Sequence, residues 1–340
     1  MAGTEEVSDS TPIIGIGAAT VWKNGVAQQV GGENTLARSI FVSDGDVYMA
    51  GSEYFLDTGT SFAVVWKNGV PQRLGSSNGV YTSDFLGAHS VFVYGGDVYA
   101  AGRTWDTLYS GSFFNAMFWK NGELQPLSDV NRIDSEARSV YVSDGNVYVA
   151  GFEENEPGMI YATFWKNGVS QRLSRLSDGS TYAQANSVFV SGDDVYAAGF
   201  EEYDNHWGFN IPILWKNGVA QRLSSDYTSE ARSVFVSGGD VYVVGYELHV
   251  EGDEGNLKAI NRAKIWKNGV EQFLSDVSDN YTDAYSVFVS GNDVYVAGQE
   301  ITDPSTMSGR YATLWINGHK VTLNRDKKSY GHASSLFVVK

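Results

Sequence analysis

Short apolar runs rich in valine, phenylalanine and tyrosine recur along this chain in a fixed order, each bounded by polar turn formers. One copy reads Ser233-Val234-Phe235-Val236, then the turn Ser237-Gly238-Gly239, then a second run from Asp240 to Gly245. A third run, Ala263 to Trp266, leads through Asn268-Gly269 into a fourth, Val270 to Leu274. Runs this short, rich in β-branched and aromatic residues, predict strands, and Asn-Gly is the dipeptide that favours a two-residue type I′ hairpin turn. No copy shows the 3.6-residue spacing of an amphipathic helix. The unit is therefore read as four β-strands, a to d.

The unit repeats. Tryptophan followed by x-Asn-Gly stands at Trp22, Trp66, Trp119, Trp165, Trp215, Trp266 and Trp315, and Ser-Val-Phe-Val or a close variant begins at Ser39, Ser90, Ser139, Ser187, Ser233, Ser286 and Ser335. Four-stranded units at a spacing of about 49 residues are the mark of propeller blades. The Asp44-Gly45 turn sets Phe41 opposite Tyr48. The same geometry pairs Phe92 with Tyr99, Tyr141 with Tyr148, Phe189 with Tyr196, Phe235 with Tyr242 and Phe288 with Tyr295, as core aromatics filling the wedge between blades. The chain opens on a strand c at Ala19 to Trp22 and stops within a strand a at Ser335 to Val338. The two partial units together predict an all-β, seven-bladed β-propeller of four-stranded antiparallel blades, its ring closed by N- and C-terminal strands. In the closing blade Ile13 to Gly17 is expected as strand b. Residues 1–12, with Met1-Ala2-Gly3 read as a cloning scar, are expected as a disordered or tag-derived leader before a single domain over residues 13–340.

Strand a, then Val-Tyr-Val-x-Gly in strand b, then a Trp-bearing hairpin: in this order and period the unit resembles a kelch-like blade over residues 13–340. It departs in carrying one glycine (Gly51, Gly102, Gly151, Gly199, Gly245, Gly298) where kelch units carry two, and in placing Trp before the c-to-d turn. The resemblance implies a binding scaffold, with enzymes a minority.

Composition narrows the partners. The 340 residues hold 38 Gly and only 6 Pro, which suits short strands and tight turns. A formal charge of -16 repels phosphate backbones and anionic membrane surfaces, which argues against nucleic acid as a partner. No apolar run approaches the roughly 18 residues needed to span a bilayer, and no signal peptide is evident. With no cysteine there is neither a disulfide nor a thiolate metal site. An extracellular, periplasmic or surface-displayed location is favoured over a cytoplasmic one, and the chain is expected to be a monomer.

The two faces of the ring differ. The a-to-b and c-to-d turns are uniform and carry Lys23, Lys67, Lys120, Lys166, Lys216 and Lys267. The b-to-c and d-to-a connections vary and are acidic, with Glu53, Glu153, Glu201, Glu247 and Glu300 among them. Variable loops on a rigid scaffold are where binding residues concentrate. At the start of strand a the variable positions Arg38, His89, Arg138, Asn186, Arg232 and Tyr285, with Ser334, are placed at the channel mouth as candidate ligand contacts. The alternative for the arginines is structural pairing, Arg38 with Glu53, Arg138 with Glu153 and Arg232 with Glu247. Trp105, Tyr203 and Trp207 lie outside the repeat and are candidate stacking residues for a glycan or a protein. An acidic mouth would attract a cationic partner or a structural Ca²⁺ ion; no other cofactor is expected.

Catalytic signatures do not emerge. Gly75-Ser76-Ser77-Asn78-Gly79 matches the nucleophile-elbow string but no helix follows it. The five histidines, at 89, 206, 249, 319 and 332, have no metal-ligand spacing. The leading expectation is a non-enzymatic binding scaffold recognising a glycan or protein through its variable face. The alternatives are a polysaccharide-acting hydrolase or lyase on the same scaffold, and a structural or engineered propeller without a ligand.

Overall fold

The computed structural model of the chain describes residues 1–7, 17–77, 87–106, 113–127, 134–176, 180–202, 209–224, 228–251, 258–274, 280–303, 308–323 and 329–339. These form seven antiparallel sheets of four strands each. The sheets stand as blades in a closed ring, and no described helix is long and apolar enough to cross a membrane. In the fifth blade, strands a to d are Ser229–Ser237, Asp240–Glu251, Lys258–Lys267 and Val270–Phe273. The aromatic register is as expected, with Phe41 opposite Tyr48, Tyr141 opposite Tyr148 and Phe288 opposite Tyr295.

The Trp-x-Asn-Gly motif is accounted for by packing alone. Each of its seven tryptophans is at most 2% exposed. Asn68 and Gly69 take φ of 50° and 84°, the left-handed pair that a type I′ turn requires. The Asn68 side chain then ties the turn to strand b, its Oδ1 accepting from the Val47 N–H at 2.8 Å and its Nδ2 donating to Asp46 at 2.6 Å. Lys67 bridges to Asp46 at 2.8 Å and lies over the Tyr48 ring. Lys120, Lys216 and Lys267 repeat the pairing with Asp97, Asp194 and Asp240. Four of the six lysines of the turn face are thus paired within their own blades.

The core is divided into seven apolar clusters, each lying between adjacent blades. Tyr148, Ala150 and Phe164 of the third blade, for example, pack against Ala185, Val188 and Trp215 of the fourth. A second bond network runs around the ring through the recurring serine. The hydroxyls of Ser39, Ser90, Ser139, Ser187, Ser233 and Ser286 accept from the backbone N–H of Val91, Val140, Val188, Val234, Val287 and Leu336 in the next blade, at 3.1–3.3 Å. Ser335 completes the circuit by accepting from Ile40.

The closing blade corrects one expectation. Its strand order is Ser329–Ser335, Ala2–Val7, Ala18–Lys23 and Val26–Gln29. Strand b is therefore Ala2–Val7, within the expected leader, and not Ile13 to Gly17, of which residues 13–16 lie outside the described residues. The physical reason is Gly3. In every blade the strand b glycine faces a strand a carbonyl so closely that a Cβ would collide with it, as at Gly51 with Leu36 and at Gly151 with Glu136. Gly3 meets the His332 carbonyl in the same way, with the Trp22 indole over it, and Ala2 is fully buried.

The variable b-to-c connections also differ from simple loops. The ladder continues outward as a β-hairpin to Phe55 opposite Thr60 in the first blade, to Glu156 opposite Met159 in the third and to Glu251 opposite Lys258 in the fifth.

Candidate functional site: an arginine-lined cup

One local irregularity builds the site. Strand a of each blade has a β-bulge where it pairs with strand b, and the residue passed over is Arg38, His89, Arg138, Asn186, Arg232, Tyr285 or Ser334. A bulge leaves one residue outside the ladder and re-aims its side chain. Here the side chain turns toward the channel, and the N–H of the residue two further on is the one captured by the neighbouring blade's serine. The same device therefore joins the blades and presents seven side chains to the axis.

All seven line a cavity of about 450 Å³ at the channel mouth, together with Gln184, Glu230, Gln299, Arg310 and His332. All six channel-mouth candidates thus share one cavity. Gln184, Glu230 and His332 are a second tier, two residues before the bulge in their strands and so on the same face by the period of two. That spacing was available in the sequence. Gln299 and Arg310, from strands b and c of the sixth blade, had no such signal.

The lining of the cup differs in charge from the acidic connections around it. Four arginines line it against one carboxylate, Glu230. Among the described contacts no Arg38–Glu53, Arg138–Glu153 or Arg232–Glu247 pair is found, the bulge having taken each arginine out of the ladder with strand b. Glu53 pairs with Arg73 at 2.8 Å, Glu247 with Lys264, and Arg138 Nε instead meets Glu136 Oε1 at 2.9 Å.

Two buried carboxylates stand behind the cup, one paired with arginines and the other hydrogen-bonded to neutral groups. Glu136 is 1% exposed and pairs with Arg103 as well as Arg138, with His89 Nδ1 at 3.7 Å. Burial alone would raise its pKa, but Arg138, with Arg103 and Arg38, more than offsets this and holds it at about 2. Asp283, 2% exposed, accepts from Gln299 Nε2 at 2.8 Å, Asn261 Nδ2 at 3.0 Å and the Tyr285 hydroxyl at 3.2 Å. Arg232 lies over the Tyr246 and Tyr285 rings at 4.6 and 4.7 Å, with Glu230 3.7 Å away. Both histidines are neutral near pH 7. Burial drives His89 well below the usual imidazole value against the pull of Glu136, and burial with Arg310 and Arg38 brings His332 to about 4.

Below the cup the channel narrows. Phe41, Phe92, Tyr141, Phe189, Phe235, Phe288 and Phe337 touch ring to ring in a closed circuit, with centroids 4.5–5.0 Å apart. A heptagon of that side has a radius of about 5.5 Å, and subtracting about 2 Å for the thickness of the rings leaves a throat roughly 7 Å across. These aromatics pack against the clusters between blades, as expected of wedge filler, and in addition form a collar around the axis.

The remaining candidates are not brought to the cup by any described contact. Tyr203 and Trp207 lie outside the described residues, as does the side chain of Trp105, whose backbone pairs with Phe114 at the outer end of its hairpin. Gly75 to Ser77 of the nucleophile-elbow string continue a strand d, paired with Ala63, Phe62 and Ser61. Among the described residues no group of three or more histidine, aspartate or glutamate side chains is arranged to hold a metal ion.

No family model matches the chain, and no curated protein matches it. Among solved structures it is similar to the computationally designed Ika8 protein, at 15% identity over 91% of this chain and 92% of that one, with a TM-score of 0.43. It is similar to the β-propeller domain of the Trilobed protease from Pyrococcus furiosus, at 10% identity over 85% and 82% of the two chains, TM-score 0.46. It is also similar to Trypanosoma rangeli sialidase, at 10% identity over 87% of this chain and 56% of that chain, TM-score 0.47. Likeness at this level concerns the ring of blades and carries no activity across. The chain is, by its own strand order, a seven-bladed β-propeller.

Proposed function

We propose that this propeller is a non-enzymatic binding scaffold that takes a glycan into the cup at the channel mouth, on the face that carries the variable hairpins. The observation that supports this reading is the cup itself: about 450 Å³, within the range of small-molecule sites, lined by side chains that the fold re-aims toward one axis. Its wall offers amides, guanidinium groups and a phenol, the donors and acceptors that sugar hydroxyls require. A hydrolase using two opposed carboxylates is less well supported, because Glu230 is the one carboxylate among the described lining residues and Glu136 and Asp283 are buried in ion pairs and hydrogen bonds. A glycan array on the intact chain, followed by titration of Asn186→Ala and Gln299→Ala variants, tests the reading. Glycan binding that weakens in both variants supports it; binding unaffected by either, or none at all, overturns it.

A further inference from the structure

The hydrogen-bonding capacity of the cup is unevenly spent. On the side formed by the third to fifth blades the lining groups meet one another. Arg138 pairs with Glu136, Gln184 lies 2.7 Å from the Tyr182 hydroxyl and 2.6 Å from Asn186 Oδ1, and Glu230 accepts from Asn210 Nδ2 at 2.9 Å. Next around the axis stand Gln299 and Tyr285 of the sixth blade and His332 and Ser334 of the closing blade. Here polar atoms are left over. Asp283 holds Gln299 Nε2 at 2.8 Å, and because a carboxylate only accepts, the amide nitrogen is the atom that must face it. Gln299 Oε1 is then the unspent atom of a side chain that lines the cup. Among the described residues neither the His332 ring nor the Ser334 hydroxyl makes a side-chain hydrogen bond, and both keep exposed surface in the cavity. The same Asp283 accepts from the Tyr285 hydroxyl, whose ring stands edge-on to His332 with centroids 6.1 Å apart, so the wall is tied to one buried anchor.

We infer that the cup selects an uncharged sugar, and that Gln299, His332 and Ser334 are the residues that select it, by pairing with its ring hydroxyl groups. This rests on the reading of the cup as a glycan site. An amide oxygen only accepts, while a neutral imidazole and a serine hydroxyl each donate and accept. A hydroxyl, which also does both, is the group that satisfies all three. An anion has no hydrogen to give, so it leaves Gln299 Oε1 and the imidazole acceptor unpaired. Nor do the arginines beside this wall stand idle for it, since Arg38 and Arg310 are already engaged within the protein. A cation fares no better. Burial, with Arg310 and Arg38, keeps a proton off His332 until about pH 4, and the same two guanidinium groups repel a positive ligand at that place.

Isothermal titration of the intact chain at about pH 6, where His332 is uncharged, tests this with methyl β-glucoside, methyl β-glucosaminide and methyl β-glucuronide, and with the same three in the galacto configuration. In the series whose ring shape fits, the neutral sugar is expected to bind on the order of tenfold or more tighter than its amino and acidic counterparts. Ser334→Ala and His332→Phe, each checked for a cooperative unfolding transition, are each expected to weaken the neutral sugar about tenfold, and more than Asn186→Ala does on the other wall. Two variants are used so that misfolding of one leaves the other informative. A charged sugar that binds as tightly as the neutral one overturns the inference and leaves the cup a glycan site. Neutral binding that Asn186→Ala weakens while Ser334→Ala and His332→Phe leave it unchanged overturns the assignment of the wall. Binding of no sugar, neutral or charged, overturns both readings.

Discussion

The hydroxyl of Ser335 accepts a hydrogen bond from the backbone N–H of Ile40 at 3.2 Å, across a separation of 295 residues. This contact joins the closing blade to the first and completes a circuit in which each blade satisfies the N–H freed near its neighbour's bulge. Ser335→Ala removes the acceptor and leaves that N–H without its partner, at an expected cost of about 1–3 kcal/mol. Ser139→Ala, at an interface in the middle of the chain, should cost a similar amount in urea unfolding. A near-zero effect of Ser335→Ala beside a clear effect of Ser139→Ala would show that the ring is not closed there.

Gly3 is expected to behave as a blade glycine and not as a leader residue. Gly3→Ala places a Cβ against the His332 carbonyl and the Trp22 ring, as Gly151→Ala does against the Glu136 carbonyl. Overpacking of this kind costs typically 1–3 kcal/mol. Gly32→Ala, whose Cβ would meet nothing within 4 Å, is the control. The thermal midpoint should fall for Gly3 and Gly151 and stay put for Gly32.

Stability should fall with acid in two stages. His332 has a folded pKa of about 4 against an ordinary value near 6.5, so between these limits the unfolded chain binds a proton that the folded one refuses. Its contribution is present above about pH 6.5 and lost as pH falls through 4, a difference of roughly 3 kcal/mol. Glu136, held at about 2, adds a second loss below its ordinary carboxylate range. His332→Gln should lessen the upper stage, in which the buried His89 also shares, and leave the lower one, as read from urea midpoints between pH 7 and 3.

The collar should contribute as a circuit. Phe189 touches both Tyr141 and Phe235, and such pairs contribute about 0.5–1.5 kcal/mol each beyond area burial. Phe189→Ala should therefore destabilise the fold clearly more than Val169→Ala on an outer strand, where the side chain is 72% exposed. Equal effects would mean that the rings do not support one another.

Much of this was legible in the sequence. The register of Phe41 with Tyr48 follows from the Asp-Gly turn, and the channel-mouth residues were visible as the variable position before each recurring serine. What escaped has definable causes. The bulge at Arg38 leaves no mark in one strand read alone, so the arginines were paired with glutamates as though the ladder were continuous. His332 was passed over because its strand is cut short by the end of the chain, although it stands two residues before Ser334 as Glu136 does before Arg138. Ala2-Gly3 repeats Ala50-Gly51, Ala101-Gly102 and Ala150-Gly151, but its place at the start of the chain disguised it as a leader. The collar needs all seven blades at once and cannot be read from pairs.

The most direct test is an electron-density map from crystals soaked with the best glycan found on the array. A sugar ring seated above the collar, in contact with Asn186 or Gln299 and at least one arginine of the cup, is the predicted result. Density for the glycan on the turn face or along the outer strands, with the cup left to solvent, would contradict it.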